Sequence, residues 1–261
     1  MSTSPLELRS IHLRVRDLGR SLAFYERQAG FLILRQMGAS AELVAGEGLS
    51  ALITLEADPD ATAAGPEDAG LFHAAVLLPS RAALGAWLRV AAGRGLALDG
   101  AADHGVSEAL YTHDPDGNGL EFYADRARAA WPRRNGELAM TTVPLDVPGL
   151  LQAGAGQSGS LGGSVWGHLH LRVRDVERSS RHYQQQLGLE VTQRSYPGAR
   201  FLAADGYHHH LGLNQWGSPR RPQPAGAVGL VAARFVRTGA AGGGPVPDPD
   251  GIPVGLAADA G

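Results

Sequence analysis

Among the 261 residues are ten histidines and 26 acidic side chains, and there is no cysteine. Without thiols the chain has no disulfides, no thiolate nucleophile and no sulfur-built zinc site, so a metal here must rest on imidazole nitrogen and carboxylate oxygen. Several of the histidines and acids stand in strand-like settings. His73 lies in LFHAAVLLP, and Glu121 lies in GLEFY, where Leu120 and Phe122 flank it on the opposite face. A carboxylate turned into the interior needs a counter-charge. The segment DGYHHHLGLN, residues 205–214, places three histidines in a row inside a strand pattern and away from either terminus. Such a run can be acid–base machinery, an extra metal site or a tag-like accident. Taken singly, His73 reads as an ordinary strand histidine and Tyr111 as a β-favouring residue.

The elements that must position these groups come from an internal repeat. HLRVRDLGRSLAFY at 12–25 returns as HLRVRDVERSSRHY at 170–183, an offset of 158, and a match this dense indicates duplication. DPDGNGLEF at 114–122 is echoed by DPDGIPVGL at 248–256, where the offset has fallen to 134. The second copy therefore lacks 24 residues between Val236 and Asp248, where the first carries SRAALGAWLRVAAGRG. That segment has the stripe of an amphipathic helix, Leu84, Trp87, Leu88 and Ala91. Its replacement, GAAGGG, reads as a loop.

Each unit opens with period-two alternation. Ile11, Leu13 and Val15 alternate with Ser10, His12, Arg14 and Arg16, as in a strand with one apolar face. Asp17 then suits an N-cap before the Leu18, Leu22, Tyr25 stripe, as Asp175 does in the second copy. Runs such as FLILRQ, AELVAG and SALITLE follow, broken by turn residues. The fold expected is α+β, from four βαβββ modules forming curled mixed sheets with a metal cup, the last module degenerate. The modules span 9–60 and 70–125 in a first region, 1–125, and 165–217 and 226–257 in a second, 165–261. A linker over 126–164, with one short helix, joins them. With 44% hydrophobic and 19% charged residues, and no apolar run of about 20 residues, the composition points away from disorder and from membrane spans. MSTSPLELRS has no apolar signal core, so a cytoplasmic location is expected. The charge of -3 gives no general attraction for nucleic acid.

Strand, helix and three strands in repeated pairs, closed by DPDGNGLEFY, resemble the vicinal oxygen chelate superfamily of glyoxalases, bleomycin-resistance proteins and extradiol dioxygenases. The resemblance implies a cup whose metal is ligated from first and last strands, the first-strand histidine lying seven residues before the capping aspartate. That count reaches His168 from Asp175 but only Ser10 from Asp17. His73 holds the place in unit two, and Val231 in unit four. Glu121 follows the turn glycine Gly117 by four residues, and Gly255 follows Gly251 likewise. Three of six places are thus competent, which requires units two and three to share one cup and units one and four to form a metal-free one. Two histidines and one carboxylate make the facial triad of non-haem Fe(II) oxygenases, with room left for a chelating diol and dioxygen.

The closest likeness is to ring-cleaving catechol 2,3-dioxygenases. It implies Fe(II), with Mn(II) compatible with the same donors, and an aromatic diol and dioxygen as partners. It equates a paired-histidine motif with His208 and His209, gives His209 the acid–base role, and makes Tyr111 the hydrogen-bond donor to the developing ketone. His104 resembles a further histidine near the substrate. His12 and His170 fall off register and are read as structural or supporting. Two other functions fit the fold. A glyoxalase or thiol transferase needs a fourth ligand, and a metal-free drug-binding protein needs a cup lined by Trp166, Trp216 and Phe201. The degenerate fourth unit shapes the outer cup, and with it whether the chain forms a homo-oligomer.

Overall fold

A computed structural model describes residues 6–46, 52–237 and 244–257. Unit one comprises β1 (Leu6–Val15), α1 (Leu18–Leu22), which runs on as a π-helical turn over Ala23–Ala29, β2 (Leu32–Met37), β3 (Ser40–Val44) and β4 (Leu52–Ala57). Unit two has β5 (Gly70–Leu77), α2 (Arg81–Gly93), β6 (Gly100–Asp103), β7 (Ser107–His113) and β8 (Gly119–Asp125). Three two-residue strands follow, β9 (Arg133–Arg134), β10 (Glu137–Leu138) and β11 (Val143–Pro144), and then α3 (Val147–Ala153). Unit three is β12 (Val165–Arg172), α4 (Val176–Leu187), β13 (Glu190–Gln193), β14 (Ala199–Ala203) and β15 (Leu211–Asn214). Unit four keeps β16 (Gly229–Arg237), β17 (Val246–Pro247) and β18 (Pro253–Ala257). The loop expected at 239–244 lies, apart from Gly244, outside the described residues.

The strands form two large sheets. Units two and three share a nine-stranded one, ordered β11-β6-β7-β8-β5-β12-β15-β14-β13, and units one and four a seven-stranded one, ordered β17-β18-β16-β1-β4-β3-β2. In β1, Leu6, Leu8, Ile11, Leu13 and Val15 are buried, and in β12 so are Leu169 and Leu171. These residues meet Tyr25, Trp87, Phe122 and Tyr183 in one continuous core. The opposite faces are left for polar side chains. Both helices that follow the repeated motif begin as expected, since Asp17 accepts from the Arg20 amide and Asp175 from the Arg178 amide. No helix of the described residues is long and apolar enough to cross a membrane.

The two sequence echoes prove to be the halves of one joint, made twice. Tyr25, which ends the first motif, donates its hydroxyl proton to Asp114 of the DPDG turn at 3.1 Å, and Tyr183 donates to Asp248 at 3.0 Å. The next turn aspartates receive amides from the same motif, Arg16 onto Asp116 and Arg174 onto Asp250, each at 2.9 Å. Each joint runs from one sheet to the other, so it holds together units that share no sheet. Asp114 is fully buried and also accepts from the Asn118 amide and side chain. Burial raises its carboxyl above the ordinary value, against the lowering effect of these donors. Tyr25→Phe is expected to lower the unfolding free energy by about 1–3 kcal/mol through loss of one buried bond to a carboxylate. Urea unfolding of the variant beside wild type measures this.

Residues 126–164 are more than a linker. β11 pairs with β6 at the edge of the nine-stranded sheet, and Trp131, Leu138 and Met140 pack with Phe201 and Tyr207. Helix α3 rides directly on α2, where a Cβ at Gly85 would come within 2.0 Å of the Leu150 carbonyl oxygen. The abundant Pro, Gly and Ala of this stretch disguise five buried large apolar side chains, Trp131, Leu138, Met140, Leu150 and Leu161.

Candidate metal centre

Register in the nine-stranded sheet brings the site together. On one face, His168 of β12 lies opposite Ala75 of β5, Ala75 opposite Glu121 of β8, and Glu121 opposite Tyr111 of β7. His73 precedes Ala75 by two residues and so shares that face. Potential ligand atoms of His73, Glu121 and His168 all lie within 4.8 Å of one another. His73 Nε2 is 2.9 Å and His168 Nε2 3.0 Å from the same oxygen, Glu121 Oε2. All three residues are buried. No fourth histidine or carboxylate of the described residues joins the group.

The donor chemistry suits a divalent ion. His73 Nε2, although close to Glu121, has no hydrogen-bond alignment and is a buried nitrogen without a partner. Burial pushes His168 down to about 4, against the pull of Glu121. Burial would raise Glu121, but His168 and His73 hold its carboxyl well below the usual range. At neutral pH Glu121 is thus an ionised carboxylate and His168 an uncharged imidazole, the charge states in which such groups bind metals.

Around the trio lies a cavity of about 350 Å³ whose lining includes Tyr111, His104, His209, His170, Phe201 and Trp216. His209 packs its ring 4.0 Å from that of His168. Behind it, His208 Nδ1 is 2.7 Å from His209 Nδ1, and His208 Nε2 is 2.8 Å from Asp125 Oδ1. A carboxylate only accepts, so a single proton on His208 sits on Nε2 and its Nδ1 accepts from His209. His209 Nε2 is then left as a lone pair. Burial, then the charges of neighbouring imidazoles, lower the pKa of His209 well below that of a free histidine. The same logic applies to His104. Its Nδ1 donates to the Thr141 carbonyl at 2.7 Å, and its Nε2 accepts the Tyr111 hydroxyl at 2.6 Å.

Some residues lie where the sequence does not place them. His208 stands behind His209, away from the cavity lining. Trp166 is no cup residue: it packs against Phe31 in the core and donates to the Leu52 carbonyl at 3.1 Å. His170 lines the cavity directly opposite His73, whereas His12, its repeat partner, pairs with Glu56 at 2.9 Å on the other sheet. In that other sheet the counterpart of His73 is Ala232, not Val231, since Ala232 faces His12 as His73 faces His170. Ser10, Arg234 and Gly255 then align as His168, Ala75 and Glu121 do, so a cationic side chain takes the central place. Among the groups that escaped the sequence reading are Asp125 and the lining residues Thr142 and Tyr196. Asp125 had a signal, four residues beyond Glu121 on the same strand.

Paired curled sheets that bring two imidazoles and a carboxylate together across three neighbouring strands make a fold with a site able to hold a divalent ion. The family model for the Glyoxalase/Bleomycin resistance protein/Dioxygenase superfamily matches residues 7–122 and 166–254, and the chain belongs to that superfamily. It is 45% identical over 226 residues to a Catechol-2,3-dioxygenase of Bacillus subtilis (strain 168), covering 84% of this chain and 78% of that protein. Among solved structures, one from Bacillus subtilis subsp. subtilis str. 168, described only provisionally as a dioxygenase, matches with a TM-score of 0.66 at 11% identity, over all of this chain and 87% of the other. Glyoxalase I from Zea mays matches with a TM-score of 0.59 at 18% identity, covering 97% and 92%. At these identities the structural matches speak for the fold alone.

Proposed function

We propose that this protein is an extradiol dioxygenase that opens a catechol-type ring with dioxygen, using Fe(II) held by His73, Glu121 and His168. Mn(II) suits the same nitrogen and oxygen donors. The observation that carries the reading is the three-donor cluster at the wall of an aromatic-lined cavity, with a histidine lone pair beside it. The 45% identity to a Catechol-2,3-dioxygenase supports it. With only three protein donors, half of an octahedral sphere stays free. A glyoxalase-type site would use one more of those positions.

The metal, when bound, supplies a meeting point for the diol's two oxygens and dioxygen and a path for electrons between them. The chain's own groups do the rest. His209 Nε2 takes a proton from a diol hydroxyl and later returns it to the oxygen released as the O–O bond breaks. His208 and Asp125 keep that nitrogen unprotonated and aimed inward. Tyr111, whose hydroxyl donates to His104 Nε2 in the resting site, turns to hydrogen-bond the ring oxygen that becomes a ketone. Phe201 and Trp216 wall the ring from water.

Ala75 stands between His168 and Glu121 in the sheet, fully buried and packed with Ala109 and Tyr123. Ala75→Leu overfills this packed spot, which should cost about 1–3 kcal/mol of stability and weaken iron binding at least about tenfold through crowding of both ligands. Competition with a chromogenic chelator gives that affinity. The function itself is tested by metal analysis after reconstitution with Fe(II), followed by oxygen uptake with a panel of catechols and hydroquinones. Consumption of one oxygen per catechol with a yellow product is expected. An iron-loaded protein inert towards the whole panel would sink the proposal.

A further inference from the structure

Next to the metal cluster stands a polar group that the ring-opening chemistry leaves unused. His170 is 3% exposed, lines the cavity, and its Nε2 has no hydrogen-bond partner. Its ring is 4.9 Å from that of His73 and is enclosed by Phe72 at 5.2 Å, Trp216 at 5.5 Å and Phe201 at 5.9 Å. The neighbouring strand makes room for it. A Cβ at Gly212, which pairs with His170, would come within 2.8 Å of the imidazole. Buried polar nitrogens are nearly always satisfied, so one kept unpaired on a cavity wall of aromatic rings is placed for something that enters. A ring held at the metal by its two oxygens presents its remaining edge to the surrounding wall.

The same wall carries no fixed positive charge. No arginine is among the described residues that line the cavity, and the sequence contains no lysine. A carboxylate on the substrate ring would be buried there with Glu121 as a nearby anion and no guanidinium or ammonium to meet it, which is unfavourable. An uncharged hydroxyl or carbonyl meets no such penalty.

On the extradiol reading, we propose that His170 is a specificity-determining residue: its Nε2 hydrogen-bonds an uncharged polar substituent on the aromatic diol, and carboxylated diols are excluded. The substrate class is therefore catechols with a neutral hydrogen-bonding substituent.

The test uses the Fe(II)-loaded full chain with catechol, 3- and 4-methylcatechol, 3- and 4-(hydroxymethyl)catechol, and 3,4-dihydroxybenzoate. Anaerobic binding is read from the fluorescence of the tryptophans, since Trp216 borders the site, and turnover from oxygen uptake. At least one hydroxymethyl compound should bind about tenfold more tightly than its methyl counterpart, the size of one net hydrogen bond. The dihydroxybenzoate should bind at least about a hundredfold more weakly than catechol. His170→Leu, with iron content unchanged, should abolish the hydroxymethyl preference, while His170→Gln, which can still donate and accept, should keep most of it. A preference unchanged in His170→Leu, or absent from wild type, overturns the assignment, as does tight binding of the dihydroxybenzoate. If catechol is turned over in those cases, the ring-cleavage reading survives. If no diol binds at all, both fall together.

Discussion

His73→Ala should purify as a folded protein that retains almost no iron, falling from about one ion per chain to near zero. The side chain supplies one of only three donors, and its Nε2 lies 2.9 Å from the carboxylate oxygen that both histidines approach. Loss of supporting groups around a metal already costs about 10–100-fold in affinity, and loss of a ligand from a three-ligand set costs more. Folding should survive because the imidazole faces a cavity and because the neighbouring Ala74 and Val76, which point the other way, carry the packing of that strand. Iron analysis after gel filtration, with circular dichroism to confirm the fold, reads the result. Full iron retention would show that the ion sits elsewhere.

His209→Asn should behave oppositely, keeping the iron and losing about 10²–10⁴ in kcat with catechol, the usual worth of a positioned proton acceptor. His209 lies beside the metal cluster without belonging to it, and its Nε2 is a lone pair only because Asp125 fixes the proton of His208. Asparagine preserves a donor towards His208 but has no basic nitrogen. Oxygen uptake at saturating catechol, beside iron content, separates the two effects. Activity equal to wild type would remove His209 from the chemistry. The pair of variants divides metal binding from proton transfer, since each is expected to move one quantity and spare the other.

Much of this architecture can be read in the sequence. The repeated HLRVRD motif marks the first strands and their capping aspartates, and the count back from Asp175 to His168 needs only a strand that runs unbroken into its helix. The likeness of the DPDG segments marks the closing strands. What escapes is whatever depends on irregular register. Carrying the 158-residue offset over to His73 lands on Val231, whereas β5 and β16 correspond one residue further on, with Ala232 facing His12 as His73 faces His170. Breaks lie before His168 and after His170, and between them the ordinary period of two puts both histidines on the same face. Asp125 and Thr142 escape for another reason, since their roles arise from contacts with residues 83 and 54 positions away. Trp166 shows the limit of composition, because an indole suits a drug-binding cup and a core equally well.

The crossing of units between sheets divides the site between the two halves of the duplicated chain. His73 and Glu121 are made early and His168 almost fifty residues later, so a growing polypeptide holds an incomplete ligand set until well past its midpoint. On the extradiol reading, capture of the ion therefore waits for the late half to dock. The duplication then sets the timing of that step, since neither copy holds a full ligand set by itself.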